Sequence, residues 1–241
     1  MRDGNEVPRD DVASMFDDIA PVYDRMNTIM TFGLDNGWRR AAVEQTGIEP
    51  GASVADVACG TGKLTGVLAE RVGPFGKVIG IDLSGGMLAL AEAEYRDLVQ
   101  VEFRKGDALA LPIDDDGVDA ATIGCGMRNL ANFEAGFREL ARVVRPGGRV
   151  VCLELTMPRP RWWGRAYLAT FRRAAPLAGT LFGRRKAYSY LPASLEGYPD
   201  ADQLARTMRG AGLVDVSYRR LGLGLVALHH GIVPATEGGA R

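Results

Sequence analysis

Apolar positions along the chain follow two rhythms. Short apolar runs at 54–57, 77–82, 99–105, 118–123 and 149–155 have the length and β-branched content of buried strands, whereas 64–71, 84–95 and 132–144 carry apolar residues at helical spacing. Strands and helices taking turns in this way predict a parallel sheet with helices on both faces. Ser84 is placed to cap the second of those helices, and Pro146-Gly147-Gly148 is expected to stop the third once Arg145 has closed it. The tail changes rhythm. Asp200 with Gln203 three places on has the form of a capping box for a helix reaching Met208, and the runs 214–220 and 225–229 predict two strands joined through 221–224, an antiparallel hairpin at the edge of the sheet.

Two stretches have no place in that sheet. Val12, Met15, Phe16 and Ile19, then Val22, Tyr23 and Met26, keep helical spacing on either side of a break expected at Pro21, and a second helix is expected from Asn36 to Thr46. These N-terminal helices, about 10–46, read as a cover over a ligand mouth, or else as surface helices packed on the core; residues 1–9 are polar and expected to fray. The other stretch, 156–196, is an insert. Its first forty residues hold eight basic side chains and no acid, and Trp163, Tyr167 and Phe171 repeat at helical spacing with Arg165 and Arg172 opposite. Such a segment suits an anionic membrane surface or closure over an apolar ligand, against a plain solvated helix. A nucleic-acid patch would want the same mixture, but this is a lone patch in a chain of net charge −1. The 241 residues are expected to form one domain.

Composition adds little beyond exclusions. Hydrophobic content of 46% is ordinary for a water-soluble domain, and there is neither a signal-peptide pattern nor an apolar run of membrane-spanning length, so a cytoplasmic location is expected. Cys59, Cys125 and Cys152 are odd in number and set among apolar neighbours, which predicts buried reduced thiols. His229 and His230, the only histidines, face opposite sides of the last strand and have no ligating neighbours, so no metal is expected.

Chemistry concentrates where strands end. The first run passes through Asp56 into Cys59-Gly60-Thr61-Gly62-Lys63, a glycine turn followed by a helix whose free amides point at whatever lies against it. A dinucleotide fingerprint requires a third glycine, where this chain has Thr65, and Asp56 would repel a phosphate. The second run ends at Asp82, followed by Leu83; a carboxylate there suits ribose hydroxyls. S-adenosylmethionine, which carries a ribose and positive charge but no phosphate, satisfies both features better than NAD(H) or a purely structural turn. The third run ends at Asp107-Ala108, positioned to meet an adenine by carboxylate and backbone amide, with an ordinary turn as the alternative. The fourth ends at Gly124-Cys125-Gly126-Met127-Arg128-Asn129, which places Arg128 and Asn129 beside the point where a methyl group would be offered, unless Arg128 is merely solvated.

The predicted strand arrangement is that of the class I S-adenosylmethionine-dependent methyltransferase fold, a mostly parallel seven-stranded sheet with an antiparallel C-terminal hairpin. Within that class the chain resembles the ubiquinone and menaquinone C-methyltransferases from about residue 12 to 233. The marks are Met15-Phe16-Asp17, Tyr23-Asp24, Met26-Asn27, Trp38-Arg39-Arg40, Gly126-Met127-Arg128-Asn129 and Val226-Ala227-Leu228-His229. The resemblance implies donor contacts from Thr61, Asp82, Asp107, Ala108 and Gly124, and methyl transfer to a ring carbon of a lipophilic prenylated quinol, demethylmenaquinol foremost, at the inner membrane surface. Cys59, Lys63, Gly124 and Cys125 depart from the family pattern, and a phenolic or polyketide acceptor is the alternative. In the mechanism expected, Arg128 stabilises an ionised ring hydroxyl while Asn129 and Tyr23 orient it or relay its proton. The sequence leaves the oligomeric state open, a homodimer included.

Overall fold

The computed structural model describes residues 9–31, 33–159, 169 and 198–235. The expected fraying of 1–9 and the basic, aromatic insert of 156–196 fall largely outside these. In chain order the elements are α1 (Arg9–Met30), α2 (Asp35–Thr46), β1 (Ser53–Val57), α3 (Lys63–Val72), β2 (Lys77–Asp82), α4 (Gly85–Tyr95), β3 (Val101–Lys105), β4 (Val118–Gly124), α5 (Phe133–Val143), β5 (Val144–Leu155), α6 (Ala201–Gly210), β6 (Val214–Leu221) and β7 (Val226–Ile232). The strands form one seven-stranded sheet in the order β3-β2-β1-β4-β5-β7-β6. Pairing is parallel from β3 to β5, whereas β7 runs antiparallel to both β5 and β6.

Alternation along the strands sorts side chains to two faces. Ala55, Val57, Ile79, Ile81, Ala121, Ile123, Val150 and Cys152 pack under Phe137 and Leu140 of α5 and Leu204 and Met208 of α6. Val54, Val78, Ala120, Val151 and Leu153 meet Leu68 and Val72 of α3 and Ala42 and Val43 of α2 on the other face. α2, expected either as part of a cover over the ligand mouth or as a helix packed on the core, packs on the sheet face, with Trp38 pressed against Gly222, where a Cβ would lie 2.6 Å from the indole. Caps close the helices as their sequences require: Ser84 Oγ accepts from Met87 N, Asn132 Oδ1 from Ala135 N, and Asp200 with Gln203 forms the reciprocal box.

Two expectations need correction. First, Pro21 does not break the N-terminal helix, which runs through it as one element of 22 residues. Proline removes one helical hydrogen bond, but tertiary contacts on both sides hold α1 in place. Asp17 Oδ1 accepts from Ser84 Oγ (2.5 Å) and Gly86 N (2.8 Å), Asp24 Oδ1 accepts from Thr61 Oγ1 (2.7 Å), and Ile19 and Ala20 pack on Met87. Second, Pro146-Gly147-Gly148 does not stop the third helix after Arg145: α5 already ends at Val143, and the three residues lie within β5. β5 starts at Val144, opposite Val118, and a bulge in β4–β5 pairing absorbs the extra residues. Gly147 N donates to the Val233 carbonyl and Val233 N to that of Gly148, both at 2.9 Å, so the sheet edge satisfies backbone that a turn would otherwise expose.

Gly80 in β2 shows how tightly the sheet is covered: a Cβ there would sit 2.6 Å from Phe103 Cδ1. Gly80→Ala should therefore cost about 1–3 kcal/mol through overpacking, lowering the melting temperature by about 2–4 °C per kcal/mol, as read by calorimetry.

Candidate active site

β1 and β4 lie side by side at the centre of the sheet, and their following helices, α3 and α5, leave to opposite faces. The backbones therefore part at the strand ends, opening a crevice of the kind that binds ligands in open α/β sheets. Both loops that line it are strained. Ala58 (φ 52°) and Cys125 (φ 57°) occupy the left-handed region without being glycine, a conformation that costs energy and clusters at functional sites. The loops also touch, since a Cβ at Gly126 would lie 2.5 Å from that of Ala58.

Two cavities share this crevice. The first, about 860 Å³ counting its open mouth, is bounded by Gly60, Asp82, Leu83, Asp107, Ala108, Gly124 and Asn129 together with Phe16, Tyr23 and Met87. Among the described residues, Asp82 and Asp107 are its only charged lining residues. Asp82 Oδ2 accepts from Gly60 N (2.8 Å) and Oδ1 from Ser84 N (2.9 Å), so one carboxylate ties the glycine turn to the start of α4. Burial raises the Asp82 pKa against those bonds. Asp107 Oδ1 accepts from Leu109 N at 2.9 Å, folding the third strand's loop back towards the cavity.

The second cavity, about 920 Å³ by the same measure, is lined by Asp56, Thr61, Lys63 and Arg128, by Asp35, Trp38 and Arg39 of α2, and by Leu64, Leu153 and Leu155. Tyr23, Ala58, Gly60, Gly124 and Cys125 belong to both cavities and form the wall between them. Asp56 is buried with both oxygens occupied, by Thr65 Oγ1 (2.6 Å) and Thr122 Oγ1 (2.9 Å). Arg128, 4% exposed, donates through Nη1 to the Cys125 carbonyl (2.6 Å) and to Glu154 Oε1 (2.5 Å). Burial works against its charge, but the Glu154 carboxylate more than offsets this and its pKa is raised. Its Nε is buried without a hydrogen-bond partner. Burial likewise raises the Tyr23 pKa, keeping the phenol protonated.

All but one of the expected site residues thus border the crevice. The exception is Gly62, which lines neither cavity: its open side is filled from behind, a Cβ there lying 2.8 Å from Tyr95 Cε2. Cys125, expected to be buried, is half-exposed in the shared wall, whereas Cys59 and Cys152 are buried; all three thiols are free. His229 is buried and donates from Nε2 to the Ala201 carbonyl at 2.9 Å, a structural place away from both cavities. Glu154, Arg39 and the tethers Asp17 and Asp24 were not singled out as site residues. A lone acid between two leucines at the end of a buried strand was the available signal for Glu154, since a charge is rarely buried unpaired. Among the described residues no group of His, Cys, Asp or Glu is arranged to hold a metal ion.

A parallel sheet closed by an antiparallel β7, with an acidic pocket at the β1–β4 parting, defines the class I S-adenosylmethionine-dependent methyltransferases. Solved structures with this fold include an S-adenosylmethionine-dependent methyltransferase from Aquifex aeolicus, with TM-score 0.59 and 18% identity over 81% of this chain and 89% of that one. Another, from Thermotoga maritima, is described as a possible histamine N-methyltransferase, with TM-score 0.62 and 18% identity over 91% of this chain and 98% of its own. Residues 4–233 match the ubiE/COQ5 methyltransferase family, and the chain belongs to it. Relatives include the demethylmenaquinone methyltransferases of Desulfitobacterium hafniense, 41% identical over 92% of this chain and 90% of that protein, and of Lactococcus lactis, 38% identical over 93% and 90%.

The buried acids give the site a testable pH signature. Burial pushes the Asp56 pKa up to about 6 against the bonds from Thr65 and Thr122, whereas the unfolded carboxyl titrates at about 3.9. Between those values the folded protein binds more protons, so this group adds stability as pH falls from above 6 towards 4. Asp17 acts with opposite sign: bonds from Ser84 and Gly86 lower its pKa, and its contribution is lost as pH falls below the unfolded value. Asp56→Asn should therefore diminish the gain in melting temperature between about pH 7 and 5; a profile identical to wild type would show that Asp56 ionises normally.

Proposed function

We propose that this enzyme transfers a methyl group from S-adenosylmethionine to a ring carbon of a prenylated quinol, converting demethylmenaquinol to menaquinol at the cytoplasmic face of the membrane. The observation that carries this reading is the meeting of two cavities at one wall, an acidic one suited to a nucleoside and a second with a buried guanidinium beside that wall. Relatives named for demethylmenaquinone, 35–41% identical over more than nine-tenths of the chain, support a quinol over other phenolic acceptors.

The first cavity fits the donor. Asp82 accepts from ribose hydroxyls with Leu83 beside it, Asp107 receives the adenine amine and Ala108 flanks the ring, and the two carboxylates, with no cation beside them among the described residues, disfavour phosphate. Gly60, Thr61, Asp56 and Gly124 border the amino-acid end, in the second cavity. When bound, the donor supplies a methyl group made electrophilic by its sulfonium. The remaining tasks fall to the chain. A ring hydroxyl of pKa about 10 must ionise for the neighbouring carbon to attack. Arg128, permanently protonated, stabilises the anion, while Tyr23 donates a hydrogen bond and Asn129 orients the ring. Arginine is a poor base, so the hydroxyl proton leaves through water, as does the proton on the methylated ring carbon once the S–CH3 bond has broken, the thioether has been released and the ring regains its aromaticity. The Tyr23–Cys125 wall holds both partners in line, and its apolar character suits a displacement in which opposite charges cancel.

Exposed aliphatics at the α1–α2 corner, Ile29 and Leu34, lie beside Thr31 and Asp35 of the second cavity, with Arg25 and Arg40 exposed nearby, and they support a peripheral membrane contact for a lipophilic acceptor. No described helix is long and apolar enough to cross a membrane.

Calorimetry should show binding of S-adenosylmethionine and none of NADH; the reverse would remove the reading. With labelled donor and a demethylated naphthoquinol, label should appear on carbon, and label on oxygen would refute C-methylation. Arg128→Ala should lower turnover by about 10²–10³-fold, the range for removing an oriented electrostatic stabiliser, with donor affinity nearly intact; equal losses would place Arg128 outside the chemistry. Ile29→Glu with Leu34→Glu should reduce sedimentation with anionic vesicles while leaving donor binding unchanged.

A further inference from the structure

Glu154 is the penultimate residue of β5, where its neighbours alternate between the two apolar cores, and its side chain is only 1% exposed. A carboxylate so placed loses its hydration, and the structure compensates it chiefly through Arg128, with one further bond from Leu155. Oε1 accepts from Arg128 Nη1 at 2.5 Å and Oε2 from the Arg128 backbone N at 3.2 Å, while Leu155 N donates to Oε1 at 2.9 Å. One carboxylate therefore grips both ends of Arg128: the main chain, at the short 3-10 turn Met127–Asn129 that follows β4, and the guanidinium itself.

Resting on the role given to Arg128 above, we propose that Glu154 is a positioning residue for the reaction, fixing the Arg128 guanidinium against the wall shared by the two cavities. Three features point the same way. Arginine has a long rotatable stem, and a side chain free to sweep would lose much of its electrostatic aim. Here Nη1 is held by Glu154 and by the carbonyl of Cys125, the strained left-handed residue of that same wall, so the guanidinium and the wall are registered to each other. Nε is buried and, among the described residues, has no hydrogen-bond partner, so its proton is shielded from solvent. Stability alone gives little reason for the pair, since buried ion pairs are often no more stabilising than apolar residues of the same volume.

The charge of Glu154 leaves a second mark. It offsets part of the Arg128 charge, so removing it increases the pull of the guanidinium on an ionising hydroxyl while releasing its aim. Glu154→Gln should lower kcat by about 10²-fold, the cost of misplacing an oriented group, leave donor affinity unchanged, and move the rising limb of kcat against pH towards lower pH. Glu154→Asp, which restores charge but not reach, should return that limb while recovering only part of kcat. Independently of turnover, arginine-selective nitrogen NMR should show a slowly exchanging Nε–H that vanishes in Arg128→Lys and becomes fast-exchanging in Glu154→Gln. That signal unchanged in Glu154→Gln, or kcat and donor affinity falling together, would overturn the proposal. Should Glu154→Gln not fold, the same NMR comparison is made on Glu154→Asp, where an unchanged signal likewise counts against it. A wild-type protein inactive on the naphthoquinol would sink the proposed reaction, and the NMR result would still decide what holds Arg128.

Discussion

The parting of the chain at the ends of β1 and β4 is the constraint on which the site depends. Parallel neighbours need crossover connections, and right-handed crossovers from two adjacent strands to opposite faces leave nothing to fill the space between them. The sheet therefore acquires a crevice from connectivity alone. Ala58 and Cys125, both left-handed, turn the chain sharply away from that gap, and their strain is borne by the most buried strands of the molecule. A loop on a softer scaffold would relax.

Electrostatics divide the crevice into unlike halves. Among the described residues the first cavity is lined by carboxylates and no cations, and Asp82 there serves as a fastener, receiving amides from two different loops. The second balances Asp24, Asp35 and Asp56 against Arg39, Lys63 and Arg128. A sulfonium donor and an anionic ring have opposite needs, and the wall from Tyr23 to Cys125 separates an environment suited to each. α1 completes the enclosure by small polar contacts, the hydroxyls of Ser84 and Thr61 reaching up to its Asp17 and Asp24.

Much of this was legible in the chain. The strand and helix rhythm predicted the layers and the antiparallel edge, because burial on both faces gives β1, β2 and β4 continuous apolar runs that resemble nothing else. Donor-side residues were legible for the same reason: they follow directly on strand ends, so placing the strand places them. Failures came where long-range contacts override local signals. Pro21 looked like a break because nothing near it in sequence reveals the tethers from Ser84, Gly86 and Thr61. Pro146-Gly147-Gly148 reads as the stop of a helix because its hydrogen-bond partner, Val233, lies some eighty-five residues away. Glu154 escaped notice since its purpose depends on a residue of the neighbouring strand's loop.

The ring of Tyr95 carries one more implication. It closes α4 and lies flat behind the glycine turn, so that added methyl groups at Gly62 and Gly66 would come within 2.8 and 2.7 Å of it. Half of what looks like a ligand signature is thus a seat for an aromatic plug on the far side. Evolutionary drift at position 95 would reshape the turn from the rear, and Gly66 would then be free to change with it, whereas Gly62, at φ 80°, would still be held to glycine by its backbone.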